Sequence, residues 1–196
     1  MIAASSHTLW KIAAVFLCVA AVFLTGTINQ QTRDALKVQT VLKTIEGQST
    51  RIGKAEQTTH ITQSELNAYI AWRISREEKT VIRHAAVELL DDNNVEGVIL
   101  LDTTALNLNL FFGEQLELAF SAILHSENQT ARLNLTTLAV NGQSISPEVT
   151  KQVLRQVTHA ASWYYGEPVT GLEDEYELPP GVKRLGVKKA GVILYH

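Results

Sequence analysis

Six histidines, at positions 7, 60, 84, 125, 159 and 196, are the side chains best suited to bind a metal or move a proton near neutral pH. Their spacing argues against both uses. A helical zinc pair needs two ligands one turn apart, and no two of these histidines stand at i and i+4 on a predicted helix. His159 has Trp163 four residues on, a spacing that suits an aromatic contact rather than a site. Carboxylates crowd at Glu173, Asp174, Glu175 and Glu177, without the regular alternation and turn-making glycine of a calcium loop, and they read as a solvated acidic run. The single cysteine, Cys18, sits in an apolar stretch, so the rest of the chain can hold no disulfide framework or thiolate metal site. No G-x-S-x-G, phosphate loop or dinucleotide fingerprint occurs. The expectation is a protein that is not an enzyme and carries no metal or cofactor, because every mechanism considered lacks a required group.

Hydropathy points to a membrane instead. Residues 12–24 read IAAVFLCVAAVFL. With its flanks, the stretch 9–28 is long enough to cross a hydrocarbon core of roughly 30 Å at about 1.5 Å per helical residue. Trp10 and Lys11 would then lie at the near interface. We read residues 1–28 as a single-pass membrane anchor. A cleaved signal peptide is the rival, but Val19-Ala20-Ala21 falls inside the run and Leu24-Thr25-Gly26 matches a cleavage site only in part. Counting Lys and Arg alone would leave the main domain in the cytoplasm, since Arg33, Lys37 and Lys43 follow the run and Lys11 alone precedes it. A short N-terminal tail normally stays inside, and long C-terminal domains translocate largely regardless of charge, so the periplasmic side is expected.

Residues 29–59, dominated by Gln, Thr and Ser with breaks at Gly47 and Gly53, are expected to form a polar, partly helical juxtamembrane spacer. Its apolar positions Leu36, Val38, Val41, Leu42 and Ile45 lack the regular heptad that pairing with a second copy would need. Residues 60–196 are expected to form one domain. The net charge of −3, with basic residues interrupted by acids, carries no nucleic-acid footprint. Thr62 and Glu65 spell a capping box, with Ile61 and Leu66 as the hydrophobic staple, and open a helix that runs to about Arg76. From Lys79 the apolar period changes to two. Segments 81–90 and 95–106 flank Asp91-Asp92-Asn93-Asn94, and segments 115–125 and 131–140 flank Ser126-Glu127-Asn128-Gln129, so two antiparallel hairpins are predicted. Ser146 as N-cap, Pro147 at the first position and Glu148 in the first turn start a second helix that Gly166 and Pro168 end. Segments 182–187 and 192–195 make a terminal hairpin. The fold class expected is α+β: an N-terminal transmembrane helix, then a curved antiparallel sheet of two long hairpins plus the terminal hairpin, packed on two helices.

Three strings, ITQSELNAYI (61–70), LAVNGQSISPEVTKQVL (138–154) and ELPPGVKRLGVKKAGVIL (177–194), together with this element order, resemble bacterial membrane-anchored domains of the tubular lipid-binding (TULIP) type. The resemblance implies a strongly bent sheet around a long helix, with lipid held in the groove between. On that analogy a lipid or other amphipathic ligand would meet the apolar strand face of Leu116, Leu118, Phe120, Leu133 and Leu135. The competing reading of the same face is a closed core. Phe111 and Phe112, beside Gly113 in the alternating piece 106–112, become a membrane- or partner-contacting edge if they are exposed. The two functions that follow are a membrane-anchored lipid-binding domain and a structural subunit that engages a protein partner in an envelope assembly.

Overall fold

The computed structural model describes residues 30–48 and 56–196. Strands β2 (Ile82–Leu89) and β3 (Asn94–Asp102) form the first predicted hairpin, and β4 (Gln115–Glu127) and β5 (Thr130–Val140) form the second. Their turns fall where short polar side chains tolerate left-handed backbone: Asp92 and Asn93 in the first, Asn128 and Gln129 in the second, all at positive φ. β3 also pairs with β4, which joins the hairpins into one antiparallel sheet. Beyond β5 an Asn141-Gly142 turn, again at positive φ, returns the two-residue strand β6 (Gln143–Ser144) along the same edge. Farther along that edge β7 (Glu175–Glu177) pairs with Thr130 to Arg132 of β5. Part of the run expected to be a solvated acidic loop is therefore a short strand, although Glu175 and Glu177 still point to water.

The terminal hairpin corrects the expected architecture. Strands β8 (Arg184–Lys188) and β9 (Gly191–Tyr195) form it, but they do not extend the large sheet. β9 pairs instead with β1 (Thr58–Thr62), a strand the sequence reading did not anticipate, so the molecule has a six-stranded and a three-stranded sheet rather than one curved sheet. The reason is edge chemistry. Side chains at the ends of the large sheet satisfy the outer edge of β8: Val187 N–H donates to Asn93 Oδ1 at 2.7 Å, and Leu185 N–H to Ser126 Oγ at 2.8 Å. That leaves the other edge of the hairpin, on β9, for β1.

Helix α2 (Gln63–Arg76) begins with the expected capping box, in which the Thr62 side chain accepts from Glu65 N–H and the Glu65 carboxylate accepts from Thr62 N–H. It runs along the free edge of β2. Asn67 both donates to Val87 O and accepts from Val87 N–H at 2.8 Å, and Gln63 Oε1 accepts from Leu89 N–H at 2.7 Å. These side chains replace the strand that β2 lacks, which blunts an edge that would otherwise invite pairing with another chain. Helix α3 (Asn109–Phe112) is a single turn between β3 and β4. Helix α4 (Pro147–Tyr165) starts on Ser146, whose hydroxyl accepts from Val149 N–H, and stops at Gly166 in the left-handed conformation.

The stretch expected to be a spacer contributes to the core. Residues 30–48 form a helix, α1, whose stripe of Ala35, Val38 and Ile45 is buried. Val38 and Ile45 pack in a cluster with Ile61, Val182, Val192 and Leu194. The apolar stripe of this stretch thus faces its own domain, and only Leu36 of Leu36, Val38, Val41, Leu42 and Ile45 stays well exposed. The membrane segment expected at residues 9–28 lies outside the described residues. Among those described, no helix is long and apolar enough to cross a membrane.

Gly97 is directly opposite Phe120 in the β3–β4 register, and the Phe120 ring lies where a Cβ on Gly97 would stand. Phe120 is buried, so its ring cannot swing clear without breaking the core. Gly97→Ala is expected to lower stability by about 1–3 kcal/mol, the usual cost of overpacking. Urea unfolding followed by circular dichroism will measure the loss, and an unchanged midpoint would mean that the ring moves freely.

Candidate functional site

The strand register brings the five candidate ligand-lining residues onto one face of the large sheet. Leu118 on β4 is opposite Ile99 and Val140, Phe120 is opposite Leu138, and Leu133 and Leu135 continue the face along β5. Leu116, Leu118 and Phe120 are buried against Leu138 and against Val153 and Ala161 of α4. Leu133 and Leu135 are half-buried at the margin of the same cluster. The residues singled out from sequence therefore meet as one layer, in which α4 seals the centre and leaves the margin partly open.

The way α4 is held matters for what the layer can do. Its inward side chains, including Leu154, Val157, Ala160 and Tyr164, are apolar or aromatic and half-buried. Among the described residues a single side-chain hydrogen bond joins the helix to the large sheet, from Val81 N–H to Tyr165 Oη at 3.2 Å. Apolar contacts are individually weak and non-directional, so a shift of this helix on the sheet would break few directional bonds, the Val81–Tyr165 bond among them.

Phe111 and Phe112 divide between two roles. Phe112 packs against the core cluster, whereas Phe111 is 77% exposed and its neighbour Leu110 90% exposed. Sequence reasoning named Phe111 and Phe112 and left out Leu110, which alternates with the buried Leu106 and the half-buried Leu108 yet stands in water.

The opposite face of the large sheet carries a shallow trough of about 480 Å³ that the sequence reading did not identify. Its floor is the cross-strand row Ala86, Val98, Ala119 and Ala139, and beside it Glu88 and Glu96 stand opposite one another with Ser121 and Thr137 completing the row. The small residues at alternate strand positions were the available signal. Like charges in direct register disfavour pairing, and the Ser121 hydroxyl, 3.4 Å from Glu96 Oε1, is the contact that faces them. A polar cleft of about 820 Å³ lies between the β2–β3 turn and β8, lined among others by Asp91, His125, Arg184 and Lys188. One of its cations is already engaged: Arg184 lies 3.5 Å over the Tyr195 ring and 3.2 Å from a Glu56 carboxylate oxygen.

No group of three or more His, Cys, Asp and Glu side chains among the described residues is arranged to hold a metal ion. The perturbed acids have structural partners. Burial pushes the Glu65 carboxyl up, but the Lys37 ammonium and the capping bonds from Thr62 outweigh it and hold the group below its ordinary value. Lys37 is held above its own by the same pair, first through the hydrogen bond and then through charge. Asp102 is held low by the Arg83 guanidinium and by the backbone N–H of Ala105. Burial, with the nearby Asp174 charge, raises the Tyr176 phenol, which donates to Gly171 O. Comparison with known proteins found no matching family model, no matching curated protein and no matching solved structure.

The Glu65 pair joins α1 to the N-terminus of α2, and its sign of pH dependence follows from the lowered value. The stability it contributes is complete above the carboxyl's unfolded value, about 4.3, and is lost as pH falls through the lower folded value. Glu65→Gln keeps a capping side chain and removes the charge. Thermal melts between pH 6 and pH 3 are expected to fall less steeply for this variant than for the parent. Part of the slope will remain, because Asp102 is held low as well. Parallel slopes would show that the Lys37 pair contributes nothing measurable.

Proposed function

We propose that this chain is a non-catalytic, membrane-anchored domain that holds a lipid or a similar amphipathic molecule, with the ligand's apolar part between α4 and the six-stranded sheet. The anchor is the apolar stretch 9–28, the membrane a bacterial inner membrane, and the side the periplasm. The resemblance to TULIP-type domains supports the reading, since it places a lipid between a sheet and a helix. One observation carries it: the apolar layer under α4 is sealed at Leu116, Leu118 and Phe120 but half-open at Leu133, Leu135, Val157 and Tyr164.

The energetics are those of exchange. Each methylene taken out of water contributes about 0.8 kcal/mol, so an acyl chain of a dozen carbons gains on the order of 10 kcal/mol before the costs of association. Against that gain, α4 gives up contacts that an acyl chain replaces in kind. The charged cleft beside β8 and the trough of small residues offer polar surroundings for a head group only at a distance from this layer, so the layer recognises the apolar part of its ligand.

The second reading, a structural subunit that engages a protein partner, is favoured by the exposed Leu110–Phe111 turn. Native mass spectrometry and lipid extraction on the full chain, purified in mild detergent, separate the two. The expected result is a reproducible bound lipid, reduced about tenfold by Leu135→Trp, which fills the margin, while the circular dichroism spectrum stays that of the parent. A folded chain with a clean unliganded mass would make the layer a closed core. A stoichiometric protein partner without lipid would select the second reading.

A further inference from the structure

We infer that the turn carrying Leu110 and Phe111 inserts into the interfacial region of a lipid bilayer, as a second membrane contact of the domain; the inference rests on the reading of the chain as membrane-anchored. The turn is built to hold these two side chains out in water. Thr103 is fully buried; its hydroxyl donates to Gly113 O and its N–H donates to Glu114 O at 3.2 Å, which closes the base of the segment between β3 and β4. Within the loop Leu108 N–H returns to Thr103 O at 2.9 Å, and Phe112 N–H to Leu108 O at 3.1 Å. Leu106 is buried in the main cluster, with Leu108 and Phe112 packed against it. The backbone is thus fixed from both sides of the tip, and Leu110 and Phe111 cannot fold back onto the core that their neighbours already fill.

Two large apolar side chains fixed in water cost free energy that their burial elsewhere must return. The composition of the loop identifies where. From Thr103 to Gly113 the sequence TTALNLNLFFG contains no charged residue, and its polar members are Thr and Asn. Uncharged polar groups around an apolar tip tolerate the dehydrated head-group layer, whereas a charge there would resist it. At the base, Asp102 and Arg83 are paired with each other, and the exposed Glu114 follows Gly113. Insertion is therefore apolar in origin and needs no anionic lipid. A protein partner would gain from charges within the tip, and residues 103–113 carry none; the nearest exposed acid, Glu114, lies at the base, where it stays in water when the tip inserts. Trp163, 70% exposed on the last turn of α4, lies at the same end of the sheet, because Tyr165 of that turn meets Val81, and Val81 O accepts from Asp102 N–H. Tryptophan is the side chain most favoured at a membrane interface.

The test places a fluorophore beside the tip in the full chain, with Cys18→Ala so that one thiol reacts. Asn109→Cys keeps both apolar residues; Asn128→Cys, in the β4–β5 turn, is the control, roughly 40 Å away along the length of β4. The chain is reconstituted into phosphatidylcholine vesicles containing doxyl-labelled lipid. Quenching at position 109 is expected to exceed that at position 128 by at least about twofold, unchanged by added salt because no counter-charge is involved. Adding Leu110→Ser and Phe111→Ser should bring it down to the control, with the circular dichroism spectrum preserved at these exposed positions. A chain that floats with the vesicles while both labels stay equally unquenched overturns the inference and leaves the anchor reading standing. So does a position-109 label shielded from aqueous iodide yet untouched by the doxyl lipid, the mark of a protein contact. A chain that does not float overturns both.

Discussion

The large sheet has one apolar face, and covering it is the constraint on which the other elements depend. The face extends from Leu116 and Leu118 at one end of β4 to Leu124 at the other. Two covers divide it. At one end α4 lies over Leu116, Leu118, Phe120 and Leu138; at the other Leu89, Val95 and Leu124 pack with the three-stranded sheet, α1 and α2. A sheet hydrophobic on one side must find such a layer. Here the demand at the second end draws in residues 30–48, β1 and the terminal hairpin from opposite ends of the chain.

The two covers are held by different forces. The three-stranded sheet is fixed by directional bonds: Asn93 to Val187, Ser126 to Leu185, Asp91 to the N–H of Lys189, and Gln129 N–H to Lys183 O. Each places a donor and an acceptor within 3.1 Å, so displacing that sheet would strand several polar groups at once. The α4 cover relies on apolar contact with one hydrogen bond near its C-terminal end. The half that carries the candidate ligand layer is therefore the one with fewer directional bonds to its cover.

How much of this was legible in sequence follows from which interactions are local. The hairpins β2–β3 and β4–β5 and the helices α2 and α4 were readable because alternation, turn residues at Asp92, Asn93 and Asn128, and caps at Thr62 and Ser146 are encoded within a few positions. Strands β1, β6 and β7 were not, because five-, two- and three-residue strands exist only through the edge each finds on β9 or β5. The burial of α1 was hidden for the same reason: its Gln- and Thr-rich outer face dominates the composition, while Val38 and Ile45 reveal their role only in the cluster with Val182 and Leu194. At the site, periodicity placed Leu116, Leu118, Phe120, Leu133 and Leu135 on one face, but whether that face is open depends on where α4 lies, which no local pattern states.

Rigidity and looseness have a consequence for a domain held at a membrane. The Leu110–Phe111 tip follows β3 and precedes β4, the two strands whose other ends meet the rigid cover, so a force on the tip is carried along the strands rather than absorbed in a floppy loop. The last turn of α4 meets Val81 at the tip end of the sheet. A contact that fixes this end against lipid would therefore orient the margin of the apolar layer relative to the bilayer, bringing Leu133, Leu135 and the half-buried face of α4 to a constant height above it. On the proposed reading, the braced turn and the weakly bonded helix would serve one task, the first setting the orientation of the apolar layer at a bilayer and the second its opening to a ligand.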